Sequence, residues 1–181
     1  MCAVVEYYTY DDYAQWDGEW ELLYGVPMAM SPAPTRKHQS IASEIIFNLR
    51  AQIGETCPFC EVLGEVDYKI SDDTVLRPDI VLTCGETNDT YLTKTPEIVV
   101  EIISKSSAKR DEKYKFDIYE AEKVNYYILI YPDDLKAKIY KLDGKAYDKQ
   151  GDFFFESYTF EESSCSVALD FEKVFKRFRS S

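Results

Sequence analysis

The chain mixes two hydrophobic periods. Short runs rich in Val, Ile and Tyr recur in its middle, at Val75–Leu82, Glu97–Ile103 and Asn125–Tyr131, and read as strands buried on both faces. A further strand is expected over Glu61–Ile70, with Asp72-Asp73 as the turn that follows it. Arg36–Ile53 instead spaces its apolar residues for a helix, at Ile41, Ile45, Phe47 and Leu49, and stops at Gly54. In front of it, Thr9 caps a short helix ending near Trp16, and Glu19–Tyr24 with Pro27–Met30 form a hairpin about Gly25. Towards the end, Lys136–Leu142 alternates charge with bulk as an edge strand, and Asp143-Gly144 turns it into a short partner. Phe153–Phe160 reads as one more strand and Asp170–Phe178 as a closing amphipathic helix.

These elements predict an α/β (α+β) fold: a mixed central β-sheet flanked by helices, with an N-terminal hairpin and a C-terminal β-meander. At 181 residues the chain is long enough for a substantial core, and residues 1–181 are expected to form a single domain. No apolar run approaches the ~20 residues of a membrane helix, and no signal peptide precedes the first helix. A cytoplasmic protein without membrane contact is the expectation. The five cysteines, Cys2, Cys57, Cys60, Cys84 and Cys165, are odd in number and irregularly spaced, which fits unpaired thiols in a reducing compartment. Cys57-Pro-Phe-Cys60 invites a zinc or redox reading, but there is no second close pair and one histidine, so chance or packing explains it better.

Two carboxylates interrupt the central apolar runs: Asp79 in the first and Glu101 in the second. An unpaired carboxylate is costly there, so each needs a partner. With a side-chain period of two, Asp79 shares a face with Val75, Arg77 and Val81, and Glu101 with Val99 and Ile103. On neighbouring strands both could converge on a hard divalent cation, which takes oxygen ligands. A helix through Lys109–Tyr119, capped by Ser104, Ser106 or Ser107, places Asp111, Lys115 and Tyr119 on one face at four-residue spacing.

The ordered set Pro78-Asp79, Glu101-Ile102-Ile103-Ser104, Asp111, Lys115 and Tyr119 resembles the PD-(D/E)XK nuclease superfamily in its displaced-lysine form, and more closely the Uma-type family of restriction endonucleases. The likeness extends upstream to Trp20-Glu21, Met30-Ser-Pro32 and His38, and downstream through Val124–Pro132. It implies a restriction-endonuclease-like core and an endonuclease hydrolysing DNA phosphodiester bonds with Mg2+, or Mn2+ in its place. By the same resemblance the site residues are Asp79, Glu101, Lys115, Glu21 and His38, with Asp79, Glu101 and the Ile102 carbonyl holding the metal. The superfamily lysine should stand where this chain has Ile103. Lys115 takes its place by the family pattern, and Lys105 competes for it.

The net charge of −12 sits awkwardly with a DNA substrate, because nucleic-acid binding is largely neutralisation of phosphates by Lys and Arg. Lys105, Lys109, Arg110, Lys113 and Lys115 nevertheless cluster near the expected site, with Arg36 and Lys37 as neighbours. The acidic balance and fifteen tyrosines support a second reading, a catalytically silent nuclease-fold module that binds protein partners, a homodimer included.

Overall fold

The structure is a computed structural model that describes residues 6–30, 33–54, 56–104 and 107–179. Lys105 and Ser106, named above as a competing lysine and a cap, lie outside the described residues. Among those described, no helix is long and apolar enough to cross a membrane.

The first helix, α1 (Tyr10–Tyr13), is shorter than expected and begins at a capping box in which Thr9 and Asp12 bond reciprocally. Strands β1 (Trp20–Leu23) and β2 (Val26–Ala29) form the hairpin. Tyr24 and Gly25 both have positive φ, at 51° and 76°, the signature of the two-residue turn whose twist matches that of the strands it joins. Helix α2 (Arg36–Ile53) has the expected limits, with the Thr35 hydroxyl accepting from the His38 amide at its start.

The next two expected strands each turn out to be two. The run from Glu61 divides into β3 (Cys60–Gly64) and β4 (Tyr68–Ser71), and the run from Val75 into β5 (Thr74–Leu76) and β6 (Ile80–Cys84). The breaks have local causes. Glu65 adopts φ 54°, and Pro78 lacks the amide a central strand needs while it restricts Arg77 before it. At both breaks the chain passes from one sheet to another, and they lie side by side, with Glu65 N donating to Asp79 O at 3.2 Å. Asp79 therefore stands at a corner between sheets, and the period-two argument for its facing does not hold.

The larger sheet has six strands in the order β10-β9-β8-β7-β6-β3. It is completed by β7 (Ile98–Ile102), β8 (Tyr126–Tyr131), β9 (Lys136–Asp143) and β10 (Ala146–Phe153). Within this sheet, among the described residues, β7 and β8 are the parallel pair, joined by a helical crossover whose last part is α3 (Phe116–Ala121). β8, β9 and β10 form the expected meander. A smaller sheet, β2-β1-β5-β4, carries the hairpin. The strand expected over Phe153–Phe160 is interrupted: β10 ends at Phe153, and β11 (Ser157–Phe160) pairs with β12 (Val167–Asp170), which sequence patterning missed. Helix α4 (Phe171–Arg179) closes the described chain.

Alternation along the central strands divides the core. Ile98, Val100 and Ile102 join Ile41, Ile45 and Leu49 of α2 and Phe171 and Phe175 of α4 on one face of the sheet. Val99, Tyr127 and Leu129 meet Ile118 and Tyr119 of α3 and Leu76 of the smaller sheet on the other. Glu101 belongs to this second face, as its strand parity requires.

The cysteines depart from expectation. Cys57 is bonded to Cys165 and Cys60 to Cys84. The Cys57-Cys60 spacing is thus neither a metal knuckle nor a redox pair, and the expectation of unpaired thiols fails. The two disulfides tie the end of α2 to the start of β12 and the edge strand β3 to β6, contacts between segments far apart in sequence that spacing could not disclose.

Candidate active site

β6 and β7 are antiparallel neighbours with Ile80 opposite Val100, which brings Asp79 abreast of Glu101. The ladder ends there, and Asp79 Oδ2 takes the place of a strand partner by accepting from Ile102 N at 2.6 Å. Its other oxygen lies 3.3 Å from His38 Nε2, held there because His38 sits in the first turn of α2. Burial would depress the His38 imidazole, but the hydrogen bond and charge of Asp79, aided by Glu65 and Asp111, raise it.

Glu101 is 2% exposed and accepts on Oε1 from Lys115 Nζ at 2.9 Å and from the Tyr119 hydroxyl at 3.1 Å. The lysine is itself 3% exposed and lies 2.6 Å from Glu21 Oε1 and 3.7 Å from Asp111 Oδ1. The crossover helix bears it differently from expectation. Ser104 and Ser107 cap the start, the Ser104 hydroxyl accepting from Ser107 N at 3.1 Å, but Arg110–Lys115 is a widened π-helical turn rather than α-helix. The Tyr127 hydroxyl donates to the Asp111 carbonyl in that turn at 2.9 Å, an inserted donor of the kind that accompanies such widening. Asp111 and Lys115 still face the same way, inward from the helix.

Glu21 reaches the cluster from β1. Besides Lys115 it accepts from Arg77 N at 2.9 Å, while its Oε2, 3.5 Å from the Arg110 guanidinium, has no hydrogen bond. One ammonium thus faces three buried carboxylates, and the pKa directions follow from that imbalance. Burial pushes Glu101 well above the usual carboxylate range against the pull of Lys115, with Asp111, Asp79 and Glu21 adding to the rise. Burial raises Asp111 too, again against Lys115. Lys115 is held charged although burial opposes it, chiefly by Glu101 and then by Glu21 and Asp111.

These groups line a cleft of about 730 Å³, open between the start of α2, the Ser104–Asp111 segment and the Tyr131–Asp134 turn. All the candidate residues, Glu21, His38, Asp79, Glu101, Ile102 and Lys115, line it. Of the basic cluster, Arg110 and Lys115 point into the site, whereas Lys109 and Lys113 are exposed. Glu44, a further acidic residue of α2, is bonded to Asn48 and takes no part. Asp111 is the carboxylate whose place sequence reasoning undervalued; its four-residue offset from Lys115 was the available signal.

Among the described residues no group of three or more His, Cys, Asp or Glu side chains forms a ready metal cage. The donor set still suits a hard cation. Mg2+ is commonly held by one or two carboxylates with waters completing its shell, and the cluster offers oxygen donors in excess of its own positive charge, including Glu21 Oε2, which accepts no hydrogen bond.

A family profile described as "Uma2: Putative restriction endonuclease" matches residues 5–166. The chain belongs to this family. In Uma2 terms the match takes in the hairpin, α2, all six strands of the larger sheet and the crossover helix, and so every candidate site residue. A solved structure described as "a putative nuclease belonging to DUF820", from Anabaena variabilis, superimposes with a TM-score of 0.74 at 16% identity, over 93% of this chain and 97% of that one. At that identity the likeness speaks to the fold. It agrees with the restriction-endonuclease-like core that the Uma2 assignment carries. No curated protein matches the chain significantly.

Proposed function

We propose that this Uma2 protein is a metal-dependent endonuclease that hydrolyses DNA phosphodiester bonds in the cleft. The observation that carries the reading is the convergence of Asp79, Glu101 and Lys115, from a strand corner, a strand and a helix, on one wall of an open cleft. Asp79 and Glu101 would hold Mg2+ or Mn2+, with the Ile102 carbonyl as a further oxygen donor; the cation supplies a polarised phosphate and a bound water of lowered pKa. Lys115 hydrogen-bonds the attacking water and stabilises negative charge as it grows on the phosphoryl oxygens. Glu21 and Asp111 keep the lysine charged and aimed, and His38 fixes the orientation of Asp79 through Nε2.

Two observations favour the second reading, a catalytically silent binding module. The Lys115 ammonium is already engaged by both Glu21 and Glu101, and the whole chain carries −12. Calorimetric titration of Mg2+ and Mn2+ into the protein and into Asp79→Asn and Glu101→Gln, followed by cleavage assays at low salt, separates the two. The nuclease reading expects metal binding lost in both variants and cleavage abolished in Asp79→Asn at unchanged folding. Cleavage by Asp79→Asn at the wild-type rate refutes the site, and absence of both binding and cleavage in the wild type favours the silent module.

A further inference from the structure

Beside the cleft lies a surface that the proposed chemistry does not use. The turn after β10 exposes two adjacent rings, Phe154 at 39% and Phe155 at 57%. Scattered apolar side chains on a surface need no explanation, but these two are held in place without being covered. The Glu156 carboxylate accepts from both their amides, at 2.9 and 3.0 Å. Arg179, near the end of α4, donates to the Phe154 carbonyl and lays its guanidinium 3.7 Å from the centre of the Phe155 ring. One face of that ring is thus backed by a cation while much of the ring stays open.

The platform adjoins the cleft. Arg179 also donates to the carbonyl of Leu135, the residue that follows the cleft-lining turn Pro132–Asp134, at 3.5 Å. From the other side, the ammonium of cleft-lining Lys37 lies 5.6 Å over Phe178, one residue before Arg179. Charge points the same way. In a chain of net −12, α4 sets Lys173, Lys176, Arg177 and Arg179 against the single acid Glu172. Lys37, Phe178, Arg179 and Phe155 thus follow one another outward from the cleft mouth, past a turn that also carries Asp133 and Asp134, with Lys37 3.9 Å from Asp133 and Lys173 3.3 Å from Asp170.

Exposed rings interleaved with Arg and Lys are how proteins hold unpaired nucleotides, since every base has a face to stack and stacking needs no net charge. Duplex binding draws instead on many phosphate contacts, which an acidic protein is poorly placed to supply. We propose that Phe155, backed by Arg179, stacks an unpaired base of the substrate strand, so that the cleft is fed by DNA with a single-stranded segment. The inference rests on the nuclease reading only for what enters the cleft.

The test is fluorescence anisotropy in EDTA, which prevents cleavage, with a labelled single strand of about 12 nucleotides, within the span such surfaces cover, and a duplex of the same sequence. The single strand should bind more tightly. Phe155→Ala should weaken it by roughly tenfold, within the range for loss of one stacked base, and leave the duplex unchanged. Phe155→Trp should restore affinity, with its indole emission quenched by the bound strand. Equal affinity for both forms, no effect of Phe155→Ala, or no binding of either form overturns the proposal. Cleavage assays in Mg2+ keep the two readings apart. Phe155-dependent single-strand binding without cleavage leaves the platform standing and removes the nuclease; cleavage without single-strand preference does the reverse.

Discussion

Lys115 Nζ lies 2.6 Å from Glu21 Oε1, nearer than the 2.9 Å that separates it from Glu101 Oε1. The hairpin glutamate is thus as much a partner of the lysine as the central-strand glutamate is. Removing the ammonium leaves Glu101 and Asp111 buried without their balancing cation and Glu21 with only the Arg110 guanidinium, 3.5 Å away, and breaking a buried pair in this way typically costs about 3–5 kcal/mol. Lys115→Met is expected to lower the urea midpoint at neutral pH accordingly, and added Mg2+ should recover part of the loss by binding the folded state alone. An unchanged midpoint would mean that the lysine does not balance the cluster.

Much of this arrangement was legible beforehand because it depends on local pattern. The parity of β7 puts Glu101 on the face it occupies, the four-residue spacing puts Asp111 beside Lys115, and the end of α2 follows from Gly54. What escaped depends on contacts between distant segments. An apolar run looks the same whether it stays in one sheet or crosses between two, so the corner at Arg77–Asp79 was hidden although Pro78 marked it. The widened turn at Arg110–Lys115 is bound up with the Tyr127 hydroxyl from β8, and β12 acquires its partner only when the chain returns to β11. The cysteine pairs belong with these, since their spacing carried no framework signal.

Those pairs give a second expectation. Cys57–Cys165 joins residues 108 apart, and cross-links closing loops of about 100 residues are worth roughly 4–5 kcal/mol in the chain-entropy account. Peptide mapping without reductant should recover Cys57 with Cys165 and Cys60 with Cys84, and reduction should lower the thermal midpoint. Free thiols at all four positions in the folded protein would rule the pairing out.

The hairpin that carries Glu21 depends on Gly25, where φ is 76° and a Cβ would run into the Tyr7 ring. Gly25→Val therefore combines backbone strain with a clash, a loss of about 1–3 kcal/mol. Because β1 delivers Glu21 to the cluster, the variant should also weaken metal binding in the titration described above. A variant as stable as the wild type would show that the turn relaxes to another form.

Acid should also loosen a loop away from the cleft. Glu86 gathers the segment that follows β6, its two oxygens accepting from the amides of Thr87, Asn88, Thr93 and Lys94 at 2.7 to 2.9 Å. Burial works against its charge, yet the amides of Asn88, Lys94, Thr93 and Thr87 hold the carboxyl at about 2, below its ordinary value of 4.5. A group with a lowered folded-state pKa stabilises the fold above its unfolded value, and that contribution fades as pH falls towards the folded one. The wild type should therefore lead Glu86→Gln in urea midpoint from neutral pH down to about pH 5, and the lead should shrink between about pH 4.5 and 2. Solvent screens this partly exposed carboxylate, so the difference will be modest, and its pH dependence is the informative part. A gap that stays constant from pH 7 to pH 2 would assign the effect to lost shape rather than to the charge that collects the four amides.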